Sequence, residues 1–530
     1  MIQVIAPGSE QHTANLLVSA LHRSCGLGSA SLASAASWQC PEPAASSTPA
    51  VFVVVHPREE WTDALLSLLD RRVKLILLGR LSTGLAQALG VSLAHEWPVL
   101  WAETTTCPAA PVHGSTESAA HVVYPTSAPR VANHAPALAV RPFRRYDYAA
   151  EWNNLGYGAI TADGTAWSLS QHATAQEAHQ IAKVQLGEQF LCSYAALWNR
   201  ETSSVLWFNR AAGPIDSQEW RIVEDFLSCH RAQDLPCVPV LSEIPHGFDS
   251  AVTMRLDCDE DVESARALWT LYRSEKVPFS LALHSRVLSD DRHHHLPREV
   301  LAEGGALLSH TATHAPNWGG SYEAAFHEGR DSARAIESVT GVRVRYAVSP
   351  FHQTPDYARL GLADAGYRGC VGGIICNDPD FLTARAGMPP ASGAGFIGHS
   401  QQCMLHGDCL LGDGDPLRIF KQAFDVARNG GAFFGYLDHP FSERYAYGWL
   451  DEAQRVNAHK AFIDHIRQSG GRICWANEND AMDFLSDRSQ TVLTPANEGF
   501  RVERTARLSP WSLSVRYRGQ TIRIEERGVL

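Results

Sequence analysis

Residues 251–485 alternate short apolar runs with amphipathic stretches, and this pattern restricts the fold more than any other feature of the sequence. The apolar runs predict strands at Val252–Leu256, Phe279–Leu283, Val344–Val348 and Ala432–Leu437. Periodic apolar residues predict helices at Val262–Glu275, Ser321–Thr340, Tyr357–Ala365, Leu417–Asn429 and Asp451–Ser469. Because parallel strands need a crossover helix between them, this order predicts an α/β protein with a distorted (β/α) barrel, which we place at residues 241–487.

The first 240 residues also alternate strand and helix patterns, and we expect a separate α/β accessory domain of flavodoxin-like or amidotransferase-like layout. Strands are predicted at Met1–Ala6, Val51–Val55, Val73–Leu78, Ala159–Ala162, Gln189–Trp198 and Ser204–Asn209, and helices at Glu10–Arg23, Glu59–Arg72 and Asp216–His230. Residues 29–50 and 104–136, rich in Ala, Ser and Pro, predict irregular connections. This domain has no Gly-rich phosphate loop and no nucleophile elbow in its sequence. We therefore interpret it as a structural or substrate-docking domain. Residues 488–530 predict a small C-terminal β appendage.

Composition excludes several classes of function. The chain has 57 acidic and 45 basic residues, a formal charge of −12, which disfavours a nucleic-acid partner because phosphates bind clustered Lys and Arg. No window approaches 18 uninterrupted apolar residues, so we expect no membrane span. The first residues lack a basic segment followed by an apolar stretch, and the 12 cysteines are scattered, as is usual in a reducing compartment. We therefore expect a cytoplasmic protein.

Three segments that follow predicted barrel strands carry side chains able to bind a metal ion. Asp257 and Asp259 follow the first strand and point to the same side of an extended chain. His310 and His314 are four residues apart, a spacing that places both on one face of a helical turn. His439 follows the last strand. Each segment alone has an ordinary structural interpretation, such as a helix cap or a loop histidine, but together they supply a metal-binding triad, a base and an acid.

The order and spacing of these segments resemble the NodB-homology polysaccharide deacetylases, carbohydrate esterase family four. The resemblance covers about residues 249–485, and it includes a complete His-Ser/Thr-x-x-His motif at 310–314 and a Leu-x-His motif at 437–439. It implies that Asp257 is the catalytic base and His439 the general acid. It also implies that Asp259, His310 and His314 hold a divalent metal ion, Zn²⁺ by preference. Such an ion activates water and polarises an acyl carbonyl, while the acid protonates the departing amine.

Two motifs of that family are altered here. The first usually has adjacent aspartates, whereas Cys258 separates them in this chain and leaves Asp261 as an alternative metal ligand. The Arg-x-Pro-Tyr/Phe motif keeps its Pro and Phe351, but Val348 stands where the family has the Arg that orients the base. Arg345 is the candidate replacement.

The walls of the substrate site are predicted from nearby polar and aromatic residues. The predicted substrate-binding residues are Phe351, His352, Asp378, His399 and His406. A main-chain N–H near Phe351 is expected to help hold the developing oxyanion. Residues 377–381 are the candidate for the acidic motif that lines the acetyl pocket in that family. The His- and Cys-rich segment 399–409 has three interpretations: a substrate-facing loop, a second metal site or ordinary packing.

Two further clusters are given structural interpretations. His293, His294 and His295 predict a solvated loop. The aromatic residues Trp198, Trp207, Phe208 and Trp220 predict a core rather than a sugar platform. Neither cluster is needed for the predicted chemistry.

We predict a metal-dependent hydrolase that removes an N-acetyl group from an amino sugar of a bacterial surface polysaccharide or its nucleotide- or lipid-linked precursor. A deformylase or small-amide hydrolase on the same barrel is one alternative, and the released acid distinguishes the two. A non-catalytic glycan-binding scaffold is the other. The missing Arg favours the scaffold, whereas the five intact metal and catalytic residues argue against it.

Overall fold

Two nine-stranded sheets and three smaller ones organise the described part of the chain. The computed structural model describes residues 2–33, 50–97, 121–125, 127–131, 141–142, 164, 166, 168–214, 219–352, 354–373, 387–388, 395–401, 403–405, 415–496, 499–504, 507–525 and 527–529. Within these ranges, every helix is too short or too polar to cross a membrane.

The N-terminal sheet is mixed. Its strands lie in the order Ala30–Ala33, Ile2–Ile5, Val51–Val55, Val73–Leu78, Ser203–Phe208, Gln189–Asn199, Gln180–Leu186, His121–Val123 and Arg141–Pro142. The first five are parallel and have the 2-1-3-4-5 order of flavodoxin-like sheets. The others are antiparallel, which the flavodoxin-like prediction did not include. The physical reason is local: only two residues, Gly187 and Glu188, join Gln180–Leu186 to Gln189–Asn199, and so short a turn permits only antiparallel pairing.

Helices cover this sheet and bury its apolar strands. Their bounds are Gln11–Cys25, Thr62–Leu69, Thr83–Leu89 and Trp220–Ser228. Trp198, Trp207, Phe208 and Trp220 are buried in the core, as predicted. The predicted strand Ala159–Ala162 lies outside the described residues, as does most of the predicted irregular connection at 104–136.

The second large sheet is a parallel half-barrel. Its strands lie in the order Ile397–Gln401, Gly369–Gly373, Tyr346–Val348, Ala306–Ser309, Ser280–Leu283, Ser250–Cys258, Phe434–Asp438 and Cys403–Met404, with Ile473–Ala476 also paired to Ser250–Cys258. Residues 397–401 and 403–404 therefore form strands at the two edges of the sheet, where a loop had been one interpretation. Its helices are Arg266–Ser274, His295–Ala302, Tyr322–Thr340, Asp356–Asp364, Arg418–Gly430, Glu452–Gln468 and Glu478–Ser489. Because the strands are parallel, their carboxyl ends meet at one edge.

The C-terminal residues form two small antiparallel sheets. One contains Val240–Leu241, Ser514–Tyr517 and Gln520–Arg523, and the other Val492–Pro495, Phe500–Glu503 and Arg527–Val529. Arg516 of the first sheet forms ion pairs with Glu224 and Asp225 on the last helix of the N-terminal region. The β appendage thus contacts the N-terminal region, and the predicted domain boundaries at residues 240 and 487 stay predictions.

Candidate metal and catalytic centre

Three predicted metal ligands converge at the carboxyl edge of the half-barrel. Asp259 follows the strand Ser250–Cys258, and His310 follows the strand Ala306–Ser309. Oδ1 of Asp259 lies 3.3 Å from Nε2 of His310, and Oδ2 of Asp259 lies 3.6 Å from Nε2 of His314. One ligand atom from each residue lies within 4.8 Å of the other two. The arrangement matches an Asp-His-His triad that leaves metal positions open to substrate.

The state of these ligands fits a divalent cation. Asp259 Oδ1 is buried and has no hydrogen-bond partner among the described residues. Nδ1 of His310 lies 3.2 Å from the Val348 carbonyl and donates to it, which directs Nε2 toward Asp259, where a metal ion would bind. Asp261 is used elsewhere, since its carboxylate accepts the N–H of Glu263 at 3.0 Å and caps the next helix. One carboxylate with two imidazoles suits Zn²⁺ and related ions without specifying which.

Mutual charges set the protonation of this triad. Burial raises the pKa of Asp259, but the imidazoles of His310, His439 and His314 outweigh burial and lower it. Burial, assisted by the neighbouring His310, lowers the pKa of His314 to about 4. At neutral pH the carboxylate is therefore ionised and His314 is uncharged, which are the forms that bind a metal ion.

The two histidines do not lie on a helical turn, contrary to the sequence-based prediction. Thr311 and His314 have φ values of 68° and 55°, in the left-handed region that a right-handed helix excludes. The carboxylate of Glu328 holds the segment instead, because it accepts the N–H groups of Ala312 and Thr313 at 2.9 and 2.8 Å and the Thr313 hydroxyl at 2.6 Å. These hydrogen bonds replace those of a helix. The ring centroids of His310 and His314 still lie 4.9 Å apart.

The predicted base, Asp257, is held by an arginine that the sequence analysis missed. Arg255 is fully buried, with Nε 2.7 Å and Nη2 3.2 Å from the two oxygens of Asp257. The two residues are two positions apart on one strand and therefore share a face. Burial alone would raise the pKa of Asp257, but the Arg255 guanidinium and the nearby imidazoles hold it well below its usual range. Arg345, the predicted replacement, instead pairs with Asp483 at 2.8 Å.

The predicted acid, His439, lies beside the triad. Its Nε2 is 3.8 Å from Oδ2 of Asp259, and its ring stacks on Tyr445 with centroids 4.8 Å apart and planes at 11°. Tyr447 lies 5.4 Å from the same ring. Burial lowers the pKa of His439, while the charges of Asp259 and Asp257 act in the opposite direction. Burial outweighs these charges, so the pKa of His439 lies below that of an exposed histidine.

Comparison with known proteins identifies one family model that matches part of the chain. Residues 254–370 match the family model of the polysaccharide deacetylases. The chain contains a polysaccharide deacetylase domain. No curated protein matches the sequence.

Several solved structures resemble the chain at low identity. Agd3, described as a carbohydrate deacetylase, is 12% identical with a TM-score of 0.41, over 97% of this chain and 92% of that one. The family 4 acetyl xylan esterase from Clostridium thermocellum, solved with a cobalt ion, is 11% identical with a TM-score of 0.30, over 44% and 90%. The family 4 carbohydrate esterase from Streptomyces lividans, solved with acetate, is 15% identical with a TM-score of 0.30, over 44% and 92%.

The predicted wall residues of the deacetylase domain have different placements. The Phe351 ring lies 4.9 Å from that of His314, next to the triad. His399 is buried, with its ring 5.9 Å from Phe433, and its role in substrate binding stays a prediction. The side chain of His352 is outside the described part of the structure, as are Asp378 and His406.

Two histidine positions near the deacetylase site differ from the sequence analysis. His293 is buried 3.4 Å from Asp261, so the prediction of a solvated loop is wrong for this residue. His284 was not predicted, although it follows a barrel strand. Its Nδ1 donates to the Asp259 carbonyl at 2.9 Å, and its ring lies 5.9 Å from that of His314. A histidine directly after a barrel strand was the signal that could have identified it.

Proposed function

We propose that the deacetylase domain hydrolyses the N-acetyl group of an amino sugar in a metal-dependent reaction. The observation that carries this proposal is the placement of Asp257 and His439 beside the three metal-compatible ligands, with Asp257 ionised through Arg255. A bound divalent ion would polarise the acyl carbonyl and lower the pKa of the attacking water.

The side chains of this chain supply the proton transfers. Asp257 would accept a proton from water as the oxygen attacks the acyl carbon. His439 would donate the proton on Nε2 to the nitrogen as the C–N bond breaks, because an amide anion is too poor a leaving group to depart unprotonated. The products are acetate and the free amino sugar.

An amino sugar is supported by the surroundings of the site. Phe351, Tyr445 and Tyr447 supply aromatic rings beside polar groups, the mixture expected of a pocket for a small polar ligand. A polysaccharide or a nucleotide- or lipid-linked precursor as substrate, and a cytoplasmic location, stay predictions.

The test is release of acetate from N-acetylated amino-sugar oligosaccharides by the metal-reconstituted protein. We expect His310→Ala and Asp257→Asn to lower kcat by roughly 10³-fold, because each removes a group worth several kcal/mol to the transition state. Metal content should fall in His310→Ala and Asp259→Ala. His12→Ala, an exposed histidine on the first helix, is the matched control and should keep both properties.

The outcomes separate the alternatives. Formate in place of acetate would identify a deformylase on the same barrel. Bound metal and retained glycan binding without any released acid would identify a non-catalytic scaffold. Full metal content in both ligand variants would show that the Asp259 cluster is not the metal site.

A further inference from the structure

Arg455 is a fully buried arginine on the helix Glu452–Gln468, and it binds the loop that carries the predicted acid. Its Nη1 donates to the His439 carbonyl at 3.0 Å. Its Nη2 donates to the carbonyls of Tyr445 and Ala446 at 2.6 and 3.3 Å. One guanidinium therefore joins both ends of the loop 439–446.

Asp438 fixes the same loop from the preceding strand. Its Oδ1 accepts the main-chain N–H of His439 at 2.8 Å, and its Oδ2 accepts Nε2–H of His459 at 2.9 Å. The other nitrogen of His459 lies 2.8 Å from the Tyr272 hydroxyl. Arg455 Nε lies 3.3 Å from Oδ2 of Asp438, so the two buried charges compensate each other.

The main chain and a stacked ring, rather than a side-chain hydrogen bond, set the orientation of the imidazole. Nδ1 of His439 is buried and has no hydrogen-bond partner within the described residues. The ring is held instead against Tyr445, with planes at 11°. Arg455 binds the main-chain carbonyls of both residues and therefore holds the backbone from which the two rings project.

We propose that Arg455 is a positioning residue that aligns His439 for protonation of the leaving amine. This inference rests on the proposed deacetylase function and adds a residue to it. Three carbonyls and one carboxylate converge on the guanidinium, an arrangement that uses its fixed fork of donors. A lysine at this position keeps the charge but cannot make all four contacts.

The experiment compares two substrates in the metal-reconstituted full chain. An N-acetylated amino-sugar oligosaccharide needs its leaving nitrogen protonated, whereas 4-nitrophenyl acetate releases a phenolate that leaves without a proton. We expect Arg455→Lys to lower kcat for the amide by about tenfold or more, a part of the 10²–10⁴-fold that general acids contribute. We expect kcat for the aryl ester to change by less than about twofold, since the metal site and Asp257 are untouched.

The matched control is Arg488→Lys. Arg488 is also fully buried and donates to two main-chain carbonyls, those of Ser242 and Leu241, but it lies on the helix Glu478–Ser489 away from the acid loop. Any loss in this variant should be equal for the two substrates. His439→Ala should show the amide-selective loss at its largest.

Arg455→Gln provides a second test with a neutral side chain. Its amide can donate to fewer of the loop carbonyls than a guanidinium can, so this variant should also lose amide hydrolysis selectively, even if Arg455→Lys fails to fold. Equal losses on both substrates in these variants, or no loss, would overturn the positioning role. If the wild-type protein releases no acetate from any N-acetylated sugar, the proposed function falls and this inference falls with it. An amide-selective loss in His439→Ala alone would overturn only the role of Arg455.

Discussion

The two large sheets both bring the carboxyl ends of parallel strands to one edge, but they use the polar side chains at that edge differently. In the N-terminal sheet, His56, Arg80 and Asn209 follow three of the strands. His56 Nδ1 accepts the Arg80 N–H at 2.9 Å, and Arg80 Nε donates to the Ser170 carbonyl at 3.0 Å. Both polar atoms of the Asn209 side chain bind main-chain groups of Gln171 and Ser193. These side chains serve the fold itself.

The corresponding edge of the half-barrel keeps polar atoms that the fold does not use. Asp259 Oδ1, His284 Nε2 and His439 Nδ1 are buried without a hydrogen-bond partner in the part of the chain that the structure describes. Buried polar atoms are nearly always paired, so three unpaired ones around the Asp-His-His triad fit a bound ligand that supplies the partner. A parallel sheet edge therefore becomes a site through the side chains that its strands place there, not through its topology alone.

The largest effect at the half-barrel edge is expected from a substitution of Arg255, which pairs with Asp257 there. In Arg255→Met, burial acts on Asp257 without the guanidinium, so the pKa of this carboxyl rises. We expect kcat at neutral pH to fall about 10²-fold and the low-pH limb of kcat/KM to move to higher pH. The lowered pKa of Asp257 in the wild type stabilises the fold above the ordinary carboxyl pKa, and this stabilisation is lost as pH falls. The free energy of unfolding at neutral pH should therefore fall by about 3 kcal/mol in the variant.

Arg345→Met is the control for that experiment. Arg345 pairs with Asp483, and its side chain is 38% exposed. Its removal should leave the pH dependence of kcat/KM unchanged. An unchanged low-pH limb in Arg255→Met itself would show that Asp257 is not the base.

Residues of this half-barrel edge could be predicted from the sequence where the signal is local. Asp259, His310 and His439 each directly follow a strand, so a parallel sheet brings them to one edge whatever the details of packing. Arg255 also had a local signal, an arginine inside an apolar strand two residues before an aspartate. The family pattern places this arginine at the position of Val348 instead, so it does not predict Arg255.

The rest depends on contacts between distant residues. Arg455 lies on an amphipathic helix, where a charged residue normally faces solvent, and only the fold reveals that loop carbonyls surround it. The loop between His310 and His314 is shaped by Glu328, which follows later in the chain on another element. Spacing alone therefore predicted a helical turn that the tertiary structure replaces.

Glu328 gives a smaller and more selective perturbation of the half-barrel edge. Its carboxylate accepts three hydrogen bonds from the loop that carries two metal ligands. A glutamine offers one acceptor oxygen and brings an NH₂ group against donors, so Glu328→Gln should loosen the ligands. We expect metal affinity to fall about tenfold, measured by competition with a chelator. Glu337→Gln, on the same helix with a 45% exposed side chain, should bind metal as the wild type does, and equal affinity in both variants would remove Glu328 from the site.

The smallest effect on activity is expected at the N-terminal edge, where Asn209 is fully buried. Its Nδ2 donates to the carbonyls of Gln171 and Ser193 at 2.8 and 3.1 Å, and its Oδ1 accepts the Gln171 N–H at 3.3 Å. Asn209→Ala leaves these groups without that partner, so urea denaturation should show a loss of about 2 kcal/mol. Because the bonds serve the fold, metal content and kcat of the folded variant should equal those of the wild type. Loss of metal or of kcat in folded Asn209→Ala would mean that the N-terminal edge contributes to the site, and the distinction between the two edges would fail.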